Sequence, residues 1–268
     1  MTTKAIKMPQ GAAAEYAKYS CNFFKGCSNA CTYCFNRRWG WGDIPTLKKC
    51  FKDEEHAMNV FRKELKDNLP ELQKHGVFFS FTTDPMLPET RNLTADAVLA
   101  VWKAAWLNNI IIPVKILTKR ADWIDGFFTN NSEDALFGLK MFTAFGFTIT
   151  GRDDLETGAS TNSERIEAMR KLHEDGFKTF ASIEPIIDFV SSAEMMRRTS
   201  GFCDLYKVGL MSGKKYDKWE CEKFVNYCCN EFENAKIYFK DSLLATAGIS
   251  REELPANCVG RDYNMFNH

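Results

Sequence analysis

Five short runs of this chain, residues 77–83, 110–117, 142–150, 179–183 and 205–210, are rich in β-branched and aromatic residues and apolar on both faces. Runs of that kind mark parallel strands buried on both sides. A weaker run, 236–239, comes late, and a first strand is expected to end near Cys21. Between the runs lie stretches of helical periodicity, 54–69, 94–106, 161–174 and 216–232. The third opens on the capping pattern Thr161-x-x-Glu164 and closes at Gly176. Strands and helices alternating with right-handed crossovers restrict the chain to an α/β architecture built on a parallel sheet. The count is about six units, too few for a full eight-fold barrel, so the expected fold is a partial (β/α)6 TIM-type barrel with a short C-terminal extension.

No internal repeat, low-complexity tract or Ser/Gly linker divides the chain. The expected organisation is a lead-in segment at 1–17, a barrel core at 18–212, and an extension at 213–268 that completes or caps the barrel. A hydrophobic content of 45% over 268 residues is enough to bury such a core. Lys plus Arg number 35 and Asp plus Glu number 35, so no global field draws the chain to nucleic acid or to an anionic membrane. Residues 1–14 are polar and small, and no apolar run is long enough to span a bilayer. A cytoplasmic protein is expected, with its 10 cysteines as reduced thiols.

In sheets of this class the chemistry gathers at the carboxyl ends of the strands. After the first strand the chain reads Cys27-Ser28-Asn29-Ala30-Cys31-Thr32-Tyr33-Cys34-Phe35. Gly26 permits a sharp turn just before it. Three thiolates on one tight loop suit an iron–sulfur cluster and leave one iron open. A zinc site closed by a fourth ligand and a set of buried free cysteines compete with that reading. Against zinc, His56, His75, His173 and His268 all lie far from the loop in sequence. Against core packing, the neighbours Lys25, Ser28, Asn29, Thr32 and Asn36 are polar.

The stretch CSNACTYCF resembles the Cys-x-x-x-Cys-x-aromatic-Cys signature of the radical S-adenosylmethionine (SAM) enzymes. The stretches FSFTTDPMLPETRNLT, VKILTKRADWI and TNSERIEAMRKLHEDGFKTFASIEPIID are similar to the spore photoproduct lyase-like branch of that superfamily. The resemblance implies a [4Fe–4S] cluster on Cys27, Cys31 and Cys34, with SAM chelated to the fourth iron by its amino and carboxylate groups. It implies reductive cleavage of SAM to methionine and a 5′-deoxyadenosyl radical that abstracts hydrogen from a substrate. An external electron donor of flavodoxin or ferredoxin type would supply the electron. The cofactor contacts it implies are Tyr33 and Phe35 in the loop, Thr83 and Asp84 after the second run, Lys119 after the third, Thr148 or Thr150 on the fourth, and Glu184 after the fifth. Asp84 would accept hydrogen bonds from the SAM amino group or ribose, and Lys119 would neutralise the carboxylate.

Two departures from the family stand out. Many radical SAM enzymes carry Gly-Gly-Glu after the second strand, where this chain has Thr-Thr-Asp-Pro. The lyase has a hydrogen-donating cysteine just before its hydroxyl–Asp pair, and this chain has Thr82 there. A hydroxyl is a much poorer hydrogen-atom donor than a thiol, so thymine-dimer repair by that mechanism is not expected. The branch points to a nucleic acid or nucleotide substrate, with Arg37, Arg38, Trp39 and Trp41 as candidate substrate contacts that stack a base and hold a phosphate. Arg91, Arg120 and Arg152 would extend a basic rim. Modification of a peptide or small metabolite is the alternative, and a non-catalytic iron–sulfur sensor or electron carrier is a third reading from another class. Cys203, Cys221, Cys228, Cys229 and Cys258 are irregularly spaced and read as core cysteines rather than ligands of an auxiliary cluster.

Overall fold

A computed structural model describes residues 3–39 and 45–266, with Arg38 and Trp39 described by their backbone alone. The chain forms two compact units, one of residues 1–144 and 155–160 and the other of residues 145–154 and 161–268.

The first unit opens with β1 (Ile6–Lys7), which pairs antiparallel with β2 (Ser20–Cys21). A two-stranded hairpin of β3 (Phe24–Lys25) and β4 (Lys48–Lys49) brackets the cysteine loop. Helix α1 (Glu54–Asp67) is capped by Asp53, whose carboxylate accepts from the His56 N–H at 2.7 Å, and it buries Ala57, Met58, Phe61 and Leu65. The periodicity that runs on to residue 69 in the sequence is broken at Asn68, whose side chain caps the Glu64 carbonyl at 2.6 Å. Pro70 then opens a second helix, α2 (Leu69–His75). Strand β5 (Val77–Phe79) follows, then α3 (Arg91–Asn108), β6 (Val114–Thr118), α4 (Ile124–Asn130) and α5 (Glu133–Lys140). Strand β5 lies parallel to both β2 and β6, with Phe78 opposite Ser20 and Lys115. Val77, Phe78 and Phe79 are all buried, as the doubly apolar run requires. On α3 the buried face is Leu93, Ala97, Val98, Val101 and Ala105; Leu99 and Trp106, which the apolar pattern would place in the core, are 45% and 76% exposed.

The second unit takes β7 (Thr143–Thr148) from Phe145 onward, then α6 (Asn162–Glu174), β8 (Lys178–Ile186), α7 (Phe189–Thr199), β9 (Leu205–Leu210), α8 (Lys218–Glu231), β10 (Ile237–Phe239) and α9 (Asp241–Ala247). Helix α6 carries the capping box expected of it, Thr161 with Glu164. Strand β9 is parallel to β8 and β10. The late run at 236–239 is therefore a true strand, with Phe239 opposite Val208. Every residue of β7, β9 and β10 is buried. The chain is thus a mixed α/β protein with a mostly parallel sheet, the class the alternating pattern implies. No helix among the described residues is long and apolar enough to cross a membrane.

Candidate functional site: the cysteine loop

The cysteine loop leaves β3 through Gly26, whose φ of 84° lies in the left-handed region that favours glycine. Two tight turns follow, closed by Ala30 N–H to the Cys27 carbonyl and Cys34 N–H to the Cys31 carbonyl, each at 3.2 Å. Ala30 sits at φ 51°, an uncommon conformation for a residue with a Cβ. The loop needs outside support to hold it, and three contacts supply that support. Arg37 donates to the Ala30 and Cys31 carbonyls at 3.0 and 3.1 Å. The segment 155–158 lies against the loop, with Thr32 N–H to Leu155 O at 3.0 Å and Gly158 N–H to Asn29 O at 3.2 Å. A Cβ on Gly158 would come within 2.5 Å of the Ser28 carbonyl oxygen and 2.7 Å of that of Asn29, so only glycine allows this approach.

The third support is Asp84. Its carboxylate accepts four hydrogen bonds: from Asn29 Nδ2 at 2.8 Å, Thr118 Oγ1 at 2.6 Å, Lys119 N–H at 2.7 Å and Met86 N–H at 2.9 Å. It is buried, and its hydrogen-bonding capacity is taken up by the chain itself. The neighbouring Thr83 is different: its hydroxyl is buried without a hydrogen-bond partner. Asn29 Oδ1 and Asn36 Oδ1, beside the cysteines in sequence, are likewise buried without one. Unmet buried polar atoms are costly and call for an account. Thr82 donates its hydroxyl hydrogen to the Phe24 carbonyl.

Lys119 reaches the cysteines from the end of β6. Its Nζ donates to Tyr33 Oη at 2.6 Å and lies 3.3 Å from Glu156 Oε1 and 3.6 Å from Cys31 Sγ. The ammonium also sits 4.5 Å from the centre of the Tyr33 ring, and the Tyr33 hydroxyl donates to Glu156. Burial alone would lower the lysine's pKa, but Tyr33, Glu156 and Cys31 outweigh it and hold the ammonium above its ordinary value. Burial raises Tyr33, and Lys119 only partly opposes it. Glu156, with a side chain 0% exposed, was not singled out from the sequence. Its signal was available: it closes the polar stretch after the fourth run, two residues beyond Asp154.

Burial pushes Cys27 up to about 12, with the Asp84 charge adding to the shift. Burial also raises Cys31, against the pull of Lys119. Such thiols stay protonated until a positively charged metal centre makes thiolates of them. Among the described residues no three His, Cys, Asp or Glu side chains converge as closely as a single metal ion requires. Thiols are the donor type an iron–sulfur cluster takes, and this loop carries three of them.

The remaining sequence candidates fall elsewhere. Phe35 is 44% exposed at the start of a 3₁₀ turn, Phe35–Trp39. Arg37 is spent on the loop carbonyls rather than held out for a substrate. Trp41 and the side chains of Arg38 and Trp39 lie outside the described residues. Thr148, Thr150 and Glu184 belong to the second unit. There Thr148 O accepts from Arg165 Nη1 at 2.5 Å, and Thr150 Oγ1 accepts from the Arg152 N–H at 3.2 Å. Glu184 Oε1 pairs with buried Lys240 at 2.8 Å while Oε2 has no partner. The expected basic rim is neutralised: Arg91 and Arg120 both pair with Asp122, and Arg152 pairs with Asp154 and Asp188.

Comparison with known proteins addresses the fold. No protein-family model matches the chain. An uncharacterized protein of Methanocaldococcus jannaschii is 27% identical over 215 residues, covering 71% of this chain and 69% of that protein. The crystal structure of Streptococcus suis SuiB bound to S-adenosylmethionine superposes with a TM-score of 0.52 at 13% identity, over 85% of this chain and 51% of SuiB. The chain has the fold of the matched half of SuiB. A second SuiB structure gives a TM-score of 0.53 at 13% identity, over 90% of this chain and 52% of that one. The chain therefore spans about half the length of SuiB.

Proposed function

We propose that this protein is a radical SAM enzyme whose cluster sits on Cys27, Cys31 and Cys34. The observation that carries the reading is the cysteine loop itself. Three thiols in the Cys-x-x-x-Cys-x-aromatic-Cys order lie on a loop braced by Asp84, Arg37 and Gly158. The SAM-bound fold match to SuiB supports it.

When bound, a [4Fe–4S] cluster with an open iron supplies the electron that cleaves SAM to methionine and a 5′-deoxyadenosyl radical, which takes hydrogen from the substrate. The residues of this chain do the holding. Cys27, Cys31 and Cys34 are the thiolate ligands. Lys119 faces Cys31 with a fixed positive charge, kept in place by Glu156 and Tyr33. Thr83, with its unmet buried hydroxyl, is the cofactor-facing member of the Thr83–Asp84 pair. Asp84 acts by fixing the loop, since its own acceptor positions are filled. The electron comes from an external donor of flavodoxin or ferredoxin type.

For the substrate, the pairing of Arg91, Arg120 and Arg152 with carboxylates favours a peptide or small metabolite over a nucleic acid. The test is anaerobic. The cluster is reconstituted and reduced with dithionite, EPR spectra are recorded with and without SAM, and 5′-deoxyadenosine is assayed in the same sample. A SAM-dependent change in the reduced signal with 5′-deoxyadenosine formed is the expected result, and Cys31→Ala should lose both the signal and the product. A cluster that ignores SAM would make the protein an electron carrier or sensor instead.

A further inference from the structure

In the second unit two thiols outside the cluster motif face each other. Cys229, on α8, and Cys258, in the C-terminal segment, have their sulfurs 3.7 Å apart across 29 positions of sequence. Both are half-buried, so a small reagent can reach them. The other cysteines of this region are placed differently. Cys203, Cys221 and Cys228 are buried, with the Cys203 thiol toward the Leu205 carbonyl at 3.3 Å and the Cys228 thiol toward Met196 Sδ at 3.8 Å. The five therefore do not form one ligand set, which agrees with the core reading for three of them and sets the remaining two apart.

The backbone around the pair is well anchored. Cys258 bridges in parallel to Ile237 of β10, with Ile237 N–H to Asn257 O at 3.1 Å and Val259 N–H to Ile237 O at 2.8 Å. Asn257 Nδ2 donates to the Phe232 and Ala235 carbonyls, both at 3.1 Å. A disulfide has its sulfurs about 2.05 Å apart, so oxidation must draw the two together from 3.7 Å. Either sulfur can donate the hydrogen bond between them, and either can attack a reagent while the other resolves.

We propose that Cys229 and Cys258 form a reversible dithiol–disulfide site whose reagent is a low-molecular-weight disulfide. One of the two sulfurs attacks one sulfur of the reagent, breaking its S–S bond and releasing one thiol. The other cysteine sulfur then displaces the second thiol and completes the protein disulfide. The protein gives up two electrons and two protons, and the reagent takes up both as two thiols. The product links α8 covalently to the strand-like segment beside β10 and encloses β10 and α9 in the ring. The inference is independent of the radical SAM reading, because neither cysteine belongs to the cluster motif.

The test uses the whole protein, purified anaerobically and exposed to oxidised glutathione, then mapped as peptides without reduction. The expected result is a Cys229–Cys258 linked peptide that is lost on adding dithiothreitol and is absent from Cys229→Ser. Each single variant, Cys229→Ser or Cys258→Ser, should instead stop at the mixed disulfide and keep glutathione on its remaining thiol. Far-ultraviolet circular dichroism matching the wild type shows that the two variants are folded. Wild-type protein that carries glutathione separately on each cysteine, or that leaves both thiols free while Cys50 reacts, overturns the proposal.

Discussion

At the scale of single residues, the centre of the candidate site is the contact of Lys119 with Glu156, Tyr33 and Cys31. Family resemblance would aim this lysine at the carboxylate of SAM. The structure gives its ammonium a carboxylate of the protein's own. Breaking a buried pair by removing one partner strands the other charge, at a cost of about 3 kcal/mol. Glu156→Gln should therefore lower the free energy of urea unfolding by about that amount while leaving all three cysteines in place. An unchanged midpoint would show that Lys119 is held by Tyr33 alone. The three cysteines stood out in the sequence because their spacing is confined to one short loop. Glu156 was harder to see, because an acid in a loop becomes a charge partner only once the chain has folded 123 residues back onto Tyr33. Asp84 was legible as important, yet its four internal partners come from three separate stretches of sequence that no local pattern joins.

At the scale of elements, the strands were legible and their ends were not. Apolarity on both faces marks a strand, but where it stops depends on pairing: the run at 110–117 yields the shorter β6 (Val114–Thr118), paired with β5 through Val114 to Ile116. Helices α4, α5, α7 and α9 escaped because they are short or capped by residues that also serve turns, such as Ser132 and Asp188. Strand β6 makes a pH prediction. Lys115, on this strand, is pushed down to about 8 by burial, from the 10.5 of a free lysine. Between those values the folded state holds fewer protons than the unfolded state, so stability rises with pH across that window. The full gain is about 3 kcal/mol. Lys115→Met should remove this slope and be more stable than wild type at neutral pH, as read by urea titrations at several pH values. A slope that persists in the variant would assign it to another group. The loop contact of Gly158 makes a second prediction. Gly158→Ala forces a Cβ against two carbonyl oxygens and should cost about 1–3 kcal/mol. It should also reduce the iron bound per chain after reconstitution, measured by colorimetric iron assay.

At the scale of the whole molecule, equal numbers of acids and bases and the pairing of the strand-end arginines act together. Nonspecific nucleic-acid binding is driven by release of counterions from phosphates and needs uncompensated cations. At physiological salt, titration with single-stranded DNA should show binding weaker than about 10⁻⁴ M. Tight binding there would return the substrate reading to nucleic acid. The fold was legible at this scale because alternation of strand and helix admits few topologies, and the match to SuiB bears out the α/β class. Substrate identity was not, since the Cys-x-x-x-Cys-x-aromatic-Cys pattern lies in one loop and carries no information about what binds beside it.

The four hydrogen bonds of Asp84 have a consequence for how the protein is loaded. Many small metal-binding modules are disordered when empty, so each loading event must order the chain and each loss of metal exposes it to proteolysis. Here the loop is tied to the end of β6 through Asp84, by hydrogen bonds within the chain itself. Its conformational entropy is surrendered during folding rather than at cluster insertion. On the cluster reading proposed above, loss of the cofactor leaves these hydrogen bonds to hold the loop, and damage to the cluster is a repairable event rather than the end of the molecule.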